Sequence, residues 1–180
     1  MLDASLLPLD ADRARLRALR QGDAEAFAEG SKDPQVRGYG HLPEPDYTPA
    51  SVVLMIDTQA EPGLRRGDLA VLAIADPYPG DGFAGSLVLF DVTDQDAEVG
   101  FWLHPKCRGG GMAAAALDLA AEFARGSGLV RLRARTSSEN VASQRVLAGA
   151  GFTETARDVG TAPSGKELPL IHYQRNLRLP

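Results

Sequence analysis

Residues 97 to 136 constrain the fold most, because two alternating segments there flank a glycine-rich turn and a helical stretch. A period of two puts Ala97, Val99, Phe101 and Leu103 on one face of a strand, with Glu98, Gly100 and Trp102 on the other. After the turn, Met112, Ala116, Leu119, Ala120 and Phe123 recur at helical spacing, which predicts a helix over about 109–125 stopped by Gly126 and Gly128. Val130, Leu132 and Ala134 then alternate with Arg131, Arg133 and Arg135, giving a second strand. Strand, helix and strand in this order form a βαβ unit, so the class is mixed α/β.

Elsewhere the signals are local. Alternation predicts a strand over 14–19, and Gly22-Asp23 supplies an N-cap for a helix that Gly30 stops. Residues 33–49 suggest a loop or broken helix, followed by a helix over 49–58. Strands over 68–75 and 83–91 are joined by Asp76-Pro77-Tyr78-Pro79-Gly80-Asp81-Gly82, which is hairpin chemistry. A helix over 140–149 and strands over 152–159 and 168–176 follow. With no repeat or linker, 180 residues predict one domain over 1–180. The net charge of −5 disfavours phosphate-backbone binding, so no nucleic-acid partner is expected. A single cysteine, Cys107, excludes an intramolecular disulfide and a multi-thiolate metal site, and no metal is expected. No apolar run approaches a bilayer span and the first residues lack a basic segment, so the expectation is a soluble cytoplasmic protein.

The turn Arg108-Gly109-Gly110-Gly111-Met112-Ala113 opens a helix, where backbone N–H groups and the positive end of the dipole suit a phosphate or pyrophosphate. A P-loop is rejected, because Met112-Ala113 stands where Lys-Ser/Thr is required. Gly109, Gly111 and Ala114 match a dinucleotide fingerprint literally, but His104-Pro105-Lys106-Cys107-Arg108 separates them from the strand. A turn that only packs helix on strand is the remaining alternative.

Arg108, Gly111 and Ala113 also fit Gln/Arg-x-x-Gly-x-Gly/Ala, the acyl-CoA pyrophosphate loop of the GNAT N-acetyltransferase superfamily. With Val99-Gly100-Phe101-Trp102-Leu103-His104-Pro105 before it, and Ser138-Glu139-Asn140-Val141-Ala142-Ser143 and Gly151-Phe152 after it, the chain resembles the ribosomal-protein N-terminal acetyltransferase branch. The opening Leu16-Arg17-Ala18-Leu19-Arg20-Gln21-Gly22-Asp23-Ala24 is similar too. The resemblance implies a mostly antiparallel twisted sheet, split by a splayed parallel pair at 97–104 and 129–136 and flanked by helices. It implies acetyl-CoA as co-substrate, held by Trp102, Leu103, His104, Arg108, Gly109, Gly110, Gly111, Met112, Ala113, Asn140 and Ser143. A primary amine, on a small molecule or a protein N-terminus, would attack the acetyl group directly. Tyr39, His41 and Tyr47 fall in the variable region that holds the acceptor, and a monomer or homodimer is expected. The rivals are a CoA-binding regulatory module without catalysis and a nucleotide-binding oxidoreductase.

Direct attack makes demands that single residues can meet. An alkyl amine, with a pKa near about 10, must lose a proton at neutral pH. Glu98 is the candidate base, the alternative being a solvated carboxylate at a strand start; His104 is a second candidate, though beside Pro105 it suits positioning the turn. The resemblance supplies the donor to the carbonyl oxygen, a backbone N–H near Leu103 or His104. Asn140 and Ser143 share a helical face that, by resemblance, meets the pantetheine arm and sulfur. Many relatives carry a tyrosine acid where this chain has Leu147, so Ser143 is the candidate that assists the departing thiolate. Cys107 is expected to be incidental. Arg131, Arg133 and Arg135 are expected to form a solvated face or to touch a CoA phosphate.

Overall fold

A computed structural model describes residues 1–39, 42–44, 46–78, 80–161 and 167–177. Its strands are β1 (Leu9–Ala11), β2 (Ala14–Ala18), β3 (Ala70–Ala75), β4 (Phe83–Phe90), β5 (Asp96–Leu103), β6 (Arg131–Ser137), β7 (Thr153–Thr161) and β8 (Glu167–Asn176). They form a single sheet in the order β1-β2-β3-β4-β5-β6-β8-β7. All neighbours run antiparallel except β5 and β6, which are parallel and pair only at Asp96, Ala97 and Glu98 with Arg131, Leu132 and Arg133. Beyond Glu98 each strand keeps only its outer neighbour, β4 or β8, and a V opens between them.

The helices are α1 (Ala24–Gly30), α2 (Pro34–Tyr39), α3 (Pro49–Met55), α4 (Glu61–Arg66), α5 (Met112–Gly126) and α6 (Val141–Gly149). Helix α5 buries Leu117 and Phe123 against one face of the sheet, where Leu16, Leu72, Leu87 and Leu132 are fully covered. On the opposite face, α1 and α3 bury Phe27 and Val52, and Ile56 directly after α3 joins them in a second cluster with Trp102. The alternation of β5 therefore feeds two cores, Val99 into the first and Trp102 into the second. Among the described residues no helix is long and apolar enough to cross a membrane.

The expected strands and hairpin are present, and three local features differ. The short edge strand β1 was not anticipated. The expected helix over 49–58 continues to Arg66 through a π-helical stretch, Ile56–Ala60. Pro62 explains that stretch, since its ring crowds the carbonyl four residues back and it offers no N–H. Helix α1 ends at Gly30 as expected, and packing there requires glycine, because a Cβ would lie 2.7 Å from the Trp102 ring. The expected helix over 109–125 starts only at Met112, leaving all three glycines in the turn.

Asp23 also behaves differently, making no side-chain cap to α1. Its carboxylate takes two hydrogen bonds from Arg17, at 2.7 and 2.9 Å, and one from the backbone N–H of Arg20. Arg17 further donates to the Asp81 carboxylate and carbonyl, both at 2.9 Å, tying β2 to the start of α1 and to the β3–β4 turn. Burial alone would raise the Asp81 carboxyl, but Arg17 and Arg20 outweigh it and hold it below its ordinary 3.8. That contribution to stability is present above pH 3.8 and is lost as pH falls through the lower folded value. Arg17 is 3% exposed, so Arg17→Ala strands a buried carboxylate and should lower the unfolding free energy by about 3–5 kcal/mol. Urea denaturation checks this, with Arg15→Ala as the control, since its half-exposed pair with Asp10 is worth about 1 kcal/mol at most.

Candidate functional site

The V has a backbone edge fixed by strand parity. The N–H of His104 donates to the carbonyl of Ala84 at 2.8 Å, and Leu103 sits opposite Gly85 in the next, non-bonded pair. Antiparallel alternation then turns the N–H groups of Phe101 and Leu103 away from β4 and into the V. Of the two donors expected near this point, that of His104 is committed to the sheet and that of Leu103 faces the opening.

The closed end of the V is held by charge. Asp96 lies 2.6 Å from Arg131 and 3.0 Å from Arg133, while Glu98 Oε1 lies 2.7 Å from Arg135 Nε and Oε2 3.6 Å from Arg133. Burial would raise the Asp96 carboxyl, but the arginines overcome it and hold it below its ordinary value. The three arginines of β6 thus pair with the acids of β5 and are only partly exposed. Glu98 is 5% exposed, a buried carboxylate on the strand face that also carries Gly100 and Trp102.

The open end meets the glycine turn. Gly109 and Gly111 take positive φ values of 87° and 79°, which glycine adopts without strain. The first turn of α5 leaves N–H groups without helical partners, the earliest bond inside the helix running from Ala115 to Gly111. A cleft of about 310 Å³ runs from Arg108, Gly109, Gly111, Met112 and Ala113 along Phe101, Trp102 and Leu103 to Asn140 and Ser143. Gly110 lies outside it, its carbonyl accepting from Arg13 at 3.0 Å. Arg108 lines the cleft while donating to Asp33 at 2.7 Å and Gln35 at 2.9 Å. Burial would raise the Asp33 carboxyl, but bonds from Arg108 and from the α2 backbone hold it below its usual value. Arg108 thereby fastens α2 over the cleft, and α2 ends at Tyr39, a further lining residue.

Asn140 caps α6, its Oδ1 accepting from the Ser143 N–H at 3.2 Å, and its Nδ2 donates to Ser143 Oγ at 2.9 Å. The Ser143 hydroxyl proton is then uncommitted among the described residues. Tyr39, Arg135, Thr136, Ser143 and Leu147 surround a recess of about 20 Å³ in the V, room for one water. A third cavity of about 320 Å³ lies across β5, under α1 and α3. Phe101 lines all three spaces, so they converge on this residue.

The expected site residues therefore divide. Tyr39, Trp102, Leu103, Arg108, Gly109, Gly111, Met112, Ala113, Asn140 and Ser143 share the cleft, and Glu98 stands at the closed end of the V. His104 is buried beside the cleft, its Nδ1 accepting from the Lys106 N–H at 3.3 Å in a capping role. Burial and the charge of Asp76 push the Cys107 thiol upward. Tyr47 lines the cavity across β5, and His41 lies outside the described residues. Gln35, Val36 and Phe101 were not singled out from the sequence. Asp33-Pro34, an N-cap before a proline at the first helical position, was the signal for α2.

Residues 13–153 match the family model described as an acetyltransferase (GNAT) domain. No curated protein sequence matches the chain at a significant level. Among solved structures, Mycobacterium smegmatis RimJ in complex with CoA-disulfide has a TM-score of 0.80 at 23% identity, covering 91% of this chain and 81% of that one. The ribosomal-protein-S5-alanine acetyltransferase from Vibrio fischeri has a TM-score of 0.80 at 16% identity, covering 94% and 96%. Spermidine N-acetyltransferase from Vibrio cholerae, in complex with CoA and spermine, has a TM-score of 0.77 at 16% identity, covering 93% and 97%. At these identities the structural likeness establishes the fold. The family match spans most of the chain, and the chain belongs to the GNAT acetyltransferase family.

Proposed function

We propose that the 180 residues act as one domain that moves an acetyl group from acetyl-CoA to a primary amine by direct attack in the V. The observation that carries this reading is the convergence of the three spaces on Phe101, where the cleft from the glycine turn meets the gap and the cavity across β5. The residues fit the coenzyme. Two glycines at positive φ and the open first turn of α5 form a cradle for a pyrophosphate, and the cleft leads from it to the strand gap. Bound acetyl-CoA supplies an activated thioester and a thiol leaving group. In this reading the Leu103 N–H donates to an oxygen gaining negative charge. Glu98 receives the amine proton through water, since it stands on the strand face that carries Gly100 and Trp102. Ser143 Oγ, held by Asn140, donates a hydrogen bond that stabilises the departing thiolate, and Tyr39 lines the same recess.

CoA or acetyl-CoA should raise the melting temperature while NAD does not, because ligand at about a hundred times its Kd adds roughly 2.7 kcal/mol to unfolding. Gly111→Val should abolish that shift and leave a folded protein, its own strain of about 1–2 kcal/mol being tolerable. A wild type indifferent to millimolar CoA would remove the basis of the proposal. A clear shift without turnover on any amine would favour the regulatory-module reading.

Glu98→Gln should lower kcat at least about tenfold, with the acetyl-CoA KM nearly unchanged and the defect shrinking at high pH as more amine arrives deprotonated. A loss independent of pH would assign Glu98 to the arginine clamp alone. Ser143→Ala should slow turnover more than it weakens CoA binding, to which a neutral hydrogen bond contributes only about 1 kcal/mol. Stopped assays with thiol detection check both, and full activity in Ser143→Ala would move the hydrogen bond to the thiolate from Ser143 to Tyr39.

A further inference from the structure

The cavity across β5 has a lining that is chemically one-sided. Five aromatic side chains, Phe27, Tyr47, Phe90, Phe101 and Trp102, share it with aliphatic residues including Val71 and Val88. Phe27 anchors this wall, its ring 5.1 Å from Trp102 and 5.3 Å from Tyr47 in edge-on contacts. Three lining side chains carry neutral polar groups besides the Tyr47 phenol, the Gln59 amide, the Trp102 indole N–H and the Ser86 hydroxyl, and Ser86 already donates to the Leu72 carbonyl at 3.0 Å. Among the described lining residues there is no acid and no base. Two carboxylates stand outside the lining: Glu98, opposite Phe90 in register, is engaged by Arg135 and Arg133, and Glu44, exposed to solvent, bears on the Tyr47 phenol.

Such a space excludes some acceptors on physical grounds. A second ammonium group entering it would lose its hydration with no carboxylate among the described lining residues to replace it. An aromatic or branched aliphatic body would instead be desolvated against surfaces of its own kind. Gly100, on the floor between Val88 and Phe101, leaves backbone rather than side chain at the point nearest the gap. The mouth toward the reaction centre is shared through Phe101 and Trp102 with the cleft already described.

Resting on the acetyltransferase reading above, we propose that the acceptor is a primary amine carried on a compact apolar body, which fills this cavity while the amine reaches the gap at Phe101. A free arylalkylamine and a peptide whose first residue is bulky and apolar present the same chemistry. Polyamines and short polar amines do not.

Trp102 is the only tryptophan of the chain and lines both spaces, so its fluorescence reports occupancy without turnover. With CoA present, 2-phenylethylamine should change that emission saturably and spermidine should not. In acetylation assays 2-phenylethylamine or a Phe-Gly-Gly peptide should exceed spermidine and Ser-Gly-Gly by about tenfold or more in kcat/KM. Comparing the free amine with the peptide distinguishes the two sources. Val88→Phe, which fills the cavity beside Gly100, should raise the KM for 2-phenylethylamine about tenfold or more while the melting shift with CoA persists. An intact CoA response with no Trp102 response to 2-phenylethylamine, or with spermidine preferred, would overturn this inference alone. Loss of the CoA response in the wild type would instead defeat the reading beneath it.

Discussion

The short parallel pairing of β5 with β6 is the constraint on which the rest of the site depends. Three residues of each strand are paired, and the same stretch carries Asp96 and Glu98 against Arg131, Arg133 and Arg135. Charge-assisted contacts between side chains that are partly or fully buried are screened less than surface pairs, so they hold this end shut. Past Glu98 each strand keeps its outer neighbour and loses its inner one. Backbone donors that a continuous sheet would consume are thereby left at Phe101 and Leu103, facing a gap narrow enough for one water.

The two sides of the gap are mechanically joined. Arg108 belongs to the glycine turn yet binds Asp33, which caps α2 and so sets where Tyr39 ends up. Lys106 reaches Glu29 at 3.0 Å from the same turn. Gly30 lets α1 press on the Trp102 ring, and Arg17 fixes the other end of α1 through Asp23. The turn and the segment before it are therefore joined, through contacts a few ångströms long, to helices that also wall the cleft and the apolar cavity.

The sequence carried different parts of this unequally. Periodicity was sufficient for β5, α5 and β6, because alternation and helical spacing report which face is buried. The tight turn before α5 was legible in Gly109 and Gly111, whose left-handed backbone only glycine adopts freely. What could not be read was partner choice. Asp23 looks like an N-cap and instead binds Arg17, and the arginines of β6 look solvated until β5 sets two acids beside them. Arg17 and Asp23 are six residues apart but meet only where β2 turns into α1, and the acids of β5 meet arginines 35 or more residues away; strand and helix spacing reports neither contact. The π-helical stretch was hidden for another reason, since Pro62 marks a helix end or a distortion equally well.

On the proposed function, the V and the glycine turn form one continuous binding site for acetyl-CoA. Amide chemical shifts, followed by two-dimensional NMR during titration with acetyl-CoA, test it most directly. The signals of Leu103, Phe101 and Gly109 through Ala114 should move together with one Kd, while those of the exposed strand β7 stay fixed. Shifts confined to the glycine turn, with Leu103 and Phe101 unmoved at saturation, would contradict it.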